Sequence, residues 1–86
     1  MTKTSLTDAQ ITKLLGSKDH KQRFVGEYHE VKKRAETLDA MLDKYDDRTL
    51  GLTLDSPYAL LVAQSNAMWA YLSILETRAD IEQIDL

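Results

Sequence analysis

Two apolar rows lie side by side on one helix-forming stretch, and a single partner helix is too narrow to bury both. The stretch is residues 57–82, PYALLVAQSNAMWAYLSILETRADIE. Leu61, Met68, Leu72, Leu75 and Ala79 recur at helical spacing and form one row. Leu60, Ala67, Tyr71, Ile74 and Ile81 form the second beside it. Together they make a wide apolar face. The pattern predicts a helix over 56–82 that packs on its own chain and also meets another chain or a ligand. Ser56 is the expected cap, and Pro57 fits the first turn, where its missing donor costs nothing.

Upstream, Thr7 and Gln10 have the T-x-x-Q spacing of a capping box, with Leu6 and Ile11 at the two positions of a hydrophobic staple. A short helix is expected over 7–16, stopped by a left-handed Gly16. It is too short to stand alone and must dock. Ser17 is then the expected cap of a long helix over 18–45. Phe24, Tyr28, Val31, Ala35, Leu38, Leu42 and Tyr45 alternate spacings of four and three. That pattern indicates shallow packing along a partner helix. Gly26 interrupts it, and marks either a kink or a place where another backbone comes close.

Asp46, Asp47 and Gly51 disfavour helix, so residues 46–55 form the connection, with Leu50, Leu52 and Leu54 expected to cover the core end. The fold class is therefore all-α: a single domain over 1–86, with a short N-terminal helix before a long antiparallel helical hairpin, expected to be oligomeric. Eighty-six residues bury a thin core, which favours association. The oligomer interface is expected at Leu60, Gln64, Ala67, Tyr71 and Ile74.

Composition excludes several classes. With 43% apolar and 29% charged residues the chain is not wholly disordered. Without cysteine it has neither disulfides nor thiolate metal sites. It shows no signal-peptide core and no apolar run near the roughly 20 residues of a membrane span, so no membrane partner is expected. Net charge is −3, but it is polarised. Residues 1–34 hold eight Lys and Arg against four acids, a balance of +4; the remainder holds three against ten, a balance of −7. Either a basic arm lies beside an acidic one, or the basic part forms an anion site. Overall negative charge argues against duplex nucleic acid, and consecutive Lys32, Lys33 and Arg34 splay around a helix.

Catalytic signals are absent, and the chain is not expected to be an enzyme. His20 and His29 lack the i, i+4 spacing of a metal pair, so neither metal nor cofactor is expected. Asp39 and Asp43 suit a solvated face. Gln64, Ser65 and Asn66 interrupt the apolar helix beside Ala63, Ala67 and Ala70, for a close helix crossing or for a polar pocket or register contact. Trp69 lies off the main seam, as a satellite core residue or an interface anchor. Arg78 either snorkels to an acid or holds a phosphate or carboxylate.

Arg23, Glu27 and Lys32, then Leu38 to Leu42 (LDAML), then Leu60, Leu61, Gln64, Ala67, Met68, Tyr71, Leu72, Ile74, Leu75 and Arg78 carry a pattern that resembles the small helical-hairpin proteins of tailed and crAss-like bacteriophages. The resemblance covers roughly residues 20–80. It implies phage origin and a site in the host-cell cytoplasm. The layout, with Ala67-Met68-Trp69-Ala70, is also similar to the anti-CBASS and anti-Thoeris sponge proteins of phages, which oligomerise and sequester cyclic-nucleotide immune signals. The expected function is then a non-enzymatic, oligomeric sponge for such a signal. Phosphates would need Lys21, Arg23 and Arg78; a base would stack on Tyr28 or Trp69. Two alternatives stand beside it. One is an anti-CRISPR-like inhibitor that binds a host defence protein through the acidic residues 39–55. The other is a structural dimerisation module.

Overall fold

The computed structural model describes residues 5–46 and 54–86. These form three helices, α1 (Asp8–Leu15), α2 (His20–Asp46) and α3 (Tyr58–Glu82), with no strand among the described residues. Helix α1 packs on α2, and α2 packs on α3 as the two arms of the hairpin. The 27 residues of α2 span about 40 Å at 1.5 Å per residue, close to the 42 Å long axis of the molecule.

The helix starts follow local hydrogen-bond chemistry. The α1 capping box is complete: the Gln10 amide donates to Thr7 Oγ1 at 3.2 Å, and the Thr7 amide donates to Gln10 Oε1 at 2.8 Å. The α1 stop differs from expectation. Gly16 has φ −87° and ψ 1°, so it is not left-handed. Its amide closes a last helical turn on the Thr12 carbonyl. Ser17 does not cap α2 directly. Its hydroxyl accepts from the Asp19 amide, and Asp19 Oδ1 accepts from the Lys21 amide at 3.0 Å. The α2 cap thus passes from Ser17 to Asp19, whose side chain reaches the free amides of the first turn. At α3, Pro57 itself is the N-cap, without a side-chain cap bond, and its carbonyl receives the Leu60 and Leu61 amides. At the other end Gln83 takes the left-handed conformation (φ 59°), and the Ile84 amide returns to the Ala79 carbonyl at 2.8 Å. This turn buries Ile84 and carries Leu86 back against the core.

The α2 heptads supply Tyr28, Ala35 and Leu42 to the buried core, with Phe24 and Val31 packed beside it. The α3 rows differ in burial, with Leu61 and Met68 of the first row half-buried. Leu72, Leu75 and Ala79 of the first row are buried, whereas Leu60, Ala67, Tyr71, Ile74 and Ile81 of the second are exposed. A thin core flanked by an uncovered apolar row is what a two-helix layer leaves when one helix carries two rows. Leu50, Leu52 and Gly51 of the connection lie outside the described residues. Tyr45 and Tyr58 close the described end of the hairpin as a stacked pair, with ring centroids 5.1 Å apart.

Gly26 marks a close approach. A Cβ placed on it would lie 3.0 Å from Leu14 Cβ and 3.0 Å from the Leu15 amide nitrogen. The missing side chain is what lets α1 sit against α2. Ile11, fully buried, anchors the same docking.

Candidate functional site

Between α2 and α3 runs an open groove of about 850 Å³. Val31, Leu38, Met41, Ala67 and Met68 give it apolar walls, and Tyr71 and Gln64 stand on its α3 side. Small-ligand pockets commonly span roughly 300–1,000 Å³ with mostly apolar walls and a few placed polar groups. Two cations, Lys33 and Arg34, mark the α2 side.

Both cations are held by carboxylates. Arg34 Nε donates to Glu30 Oε1 at 2.8 Å, one helical turn away on α2. Lys33 Nζ donates to Asp8 Oδ1 at 3.0 Å, across to the first turn of α1. Gly26 and Lys33 lie one heptad apart on α2, so the contact that seats Leu14 and Leu15 and the contact that seats Asp8 share one face. The short first helix is thereby aligned along α2 until its first residue reaches the groove. Across from it, the Tyr71 hydroxyl donates to Glu27 Oε2, which fixes the ring at the seam between the arms.

The inter-arm polar contacts set the register of the groove. Asp39 on α2 accepts from two α3 donors: the Ser65 hydroxyl at Oδ1, and Trp69 Nε1 at Oδ2, 2.7 Å away. Ser65 is buried, so the carboxylate satisfies a hydroxyl that would otherwise lose its partners. Tyr28, 1% exposed, donates its hydroxyl to Glu76 Oε2 at 2.6 Å. Burial, then the Glu76 carboxylate beside it, pushes this hydroxyl well above the ordinary tyrosine value.

The residues expected to contact ligand are dispersed. Tyr28 lies in the core, T-shaped to the His29 ring with centroids 5.2 Å apart. Trp69 is tied to Asp39 and partly exposed. Arg78 sits 4.9 Å above the Phe24 ring and pairs with Glu82 at 3.0 Å. Arg23 donates to the Ser17 carbonyl at the α1–α2 junction, and Lys21 lies exposed in the first turn of α2. None of the five lines the groove. Of the residues expected at an oligomer interface, Gln64, Ala67 and Tyr71 line it, while Leu60 and Ile74 lie one heptad either side of Ala67 on the same exposed face. Asp39, expected on a solvated face, instead accepts from Ser65 and Trp69 across the seam; Lys33 and Arg34, expected to splay, both line the groove, and Asp8 was not singled out. The available signal was the spacing of Gly26 and Lys33, once Gly26 is read as a helix contact.

A family model described as Sequestin matches residues 18–81. The chain belongs to the Sequestin family. The match takes in all of α2 and α3 as far as Ile81, and with them both walls of the groove and the Asp39 clamp. It leaves α1, and therefore Asp8, outside. Comparisons with curated proteins and with solved structures gave no match.

The described residues include no group of three or more His, Cys, Asp or Glu placed to hold a metal. No helix among them is long and apolar enough to cross a membrane.

Proposed function

We propose that this protein is a non-catalytic sponge that sequesters a small anionic nucleotide, a cyclic-nucleotide immune signal, as a phage countermeasure inside the bacterial host cell. The observation that carries it is the groove between α2 and α3: apolar walls and the Tyr71 ring for a base, and Lys33 and Arg34 on the α2 side for phosphate. The family name, with its sense of sequestering, supports the same reading.

The assembly belongs to this reading. Leu60, Ala67, Ile74 and Ile81 repeat every seven residues, and Leu60, Ile74 and Ile81 are 60%, 58% and 76% exposed. A strict heptad stripe of this kind suits a second copy of α3. Because Ala67 belongs to both stripe and groove, a second copy on the stripe would cover the groove mouth and enclose what it holds.

Isothermal calorimetry against a panel of cyclic dinucleotides and cyclic ADP-ribose isomers tests the proposal. One ligand should bind without turnover, and Lys33→Gln and Tyr71→Ala should each weaken it, while Lys21→Ala should not. Binding that persists in both groove variants would move the site elsewhere. No binding to the panel, with capture of a host defence protein instead, would favour an inhibitor that acts by protein contact.

A further inference from the structure

The groove is electrically balanced before any ligand arrives. Lys33 is paired with Asp8, and Arg34 with Glu30. An incoming anion must therefore compete with a carboxylate for either cation. The two pairs are not equally releasable. Glu30 lies on the same helix as Arg34, one turn away, and its side chain is 35% exposed. Asp8 comes from a different helix, and its side chain is 95% exposed, against 37% for Lys33. Rotation of the Asp8 side chain frees Lys33 and leaves a solvated carboxylate behind.

Asp8 also has a second favourable place to rest. It is the first residue of α1, beside amides that no intrahelical carbonyl satisfies, where a negative charge is stabilised by the helix dipole. The α1 start does not depend on Asp8 for its cap, because Thr7 and Gln10 complete the capping box between themselves. Ile11 and the close contact at Gly26 hold the helix in place independently. Helix α1 therefore stays docked while its first side chain lets go.

We infer that Asp8 is a built-in competitor for the groove, a releasable counter-ion that occupies Lys33 until a phosphate-bearing ligand displaces it. The inference rests on the groove reading above and adds to it the element that sets its threshold. A weakly anionic ligand does not repay the loss of the Asp8 pair; a ligand that brings a phosphate to Lys33 does. Because α1 lies outside the matched stretch, this control is carried by a part of the chain that the family model does not cover.

The test compares four proteins by calorimetry at low salt, with inorganic pyrophosphate and the cyclic-nucleotide panel as probes: the unaltered chain, Asp8→Asn, the double variant Asp8→Asn/Lys33→Gln, and Asp80→Asn. The last removes the same charge from an exposed position on α3 away from the groove. Melting curves on the same samples check that each is folded. Asp8→Asn should bind about two- to fivefold more tightly, the range a single exposed ion pair supplies. The gain should vanish in the double variant and be absent in Asp80→Asn. Equal or weaker binding by Asp8→Asn overturns the inference, as does an equal gain in Asp80→Asn, which would reduce the effect to net charge. If none of the four proteins binds any probe, the groove reading itself fails and the inference falls with it.

Discussion

Trp69 Nε1 on α3 donates to Asp39 Oδ2 on α2 at 2.7 Å, while the other oxygen of the same carboxylate takes the buried Ser65 hydroxyl. One side chain thus fixes two successive turns of α3 against α2. Asp39→Ala should cost about 1–3 kcal/mol, because it leaves the Ser65 hydroxyl buried without its acceptor. Trp69→Phe should cost less, about 0.5–1.5 kcal/mol, since the indole is partly exposed. Urea unfolding of the two single variants and the double variant measures the coupling. Additive losses would mean that the two residues do not act through one another.

Gly26→Ala sets two effects against each other. Alanine favours helix over glycine by about 1 kcal/mol. Its Cβ would meet Leu14 Cβ and the Leu15 amide nitrogen at 3.0 Å, and the second of these is backbone that cannot rotate aside. Steric cost should win by about 1–3 kcal/mol. Hydrogen exchange should show α1 amides losing protection while the α2–α3 seam keeps its own. A rise in stability would show that α1 is not held so closely.

The Tyr28 hydroxyl links stability to alkaline pH. Its value is raised by burial and by Glu76, so the fold favours the neutral form. Below the ordinary tyrosine value, about 10, both folded and unfolded chains keep the proton and the contribution is complete. Above it the unfolded chain gives up the proton and the folded chain does not, so stability falls by up to about 1.4 kcal/mol per pH unit for this one group. Tyr28→Phe should flatten that decline between pH 10 and 11 relative to the parent, at a cost of about 1 kcal/mol at neutral pH. Chemical denaturation across this range checks both signs.

Ile74→Glu tests the exposed stripe. Ile74 is 58% exposed in the single chain, so the change should alter the fold of one copy by less than about 0.5 kcal/mol. In an assembly it would bury a charge at the centre of the stripe. Light scattering should then report 9.8 kDa for the variant and at least twice that for the parent at the same micromolar concentration. A parent already at the single-chain mass would dismiss the second copy.

The helices were legible because their signals are local. The capping box at Thr7, the heptads from Phe24 and the two rows after Pro57 each need only near neighbours in sequence to be read. The caps of α2 and α3 shifted because Ser17 and Ser56 are each followed closely by a second residue, Asp19 or Pro57, able to take the position. The groove was not legible. Lys33 acquires its meaning from Asp8, 25 residues away, and Asp39 from Ser65, 26 residues away. Periodicity places such residues on a face but does not say which face of another helix they meet. The same limit scattered the ligand-contact expectations. Tyr28 and Trp69 are aromatic and Arg78 is cationic, but only the packing shows that one is core, one is tied to Asp39 and one lies on Phe24.

The close seat of α1 at Gly26 has a consequence for the order in which the chain folds. Contacts between the arms close progressively larger loops away from the turn, from the Tyr45–Tyr58 stack through Asp39–Ser65 to Tyr28–Glu76, which are 48 residues apart. Loop-closure entropy rises with that separation, so a hairpin of this kind is expected to zip outward from its turn and to reach the Tyr28 end late. Helix α1 attaches to α2 at that late-closing end, through Leu14 and Leu15 about a dozen positions from Gly26 and through Asp8, 25 residues from Lys33. It acts as a splint, stiffening the remote half of α2 before α3 arrives to cover it.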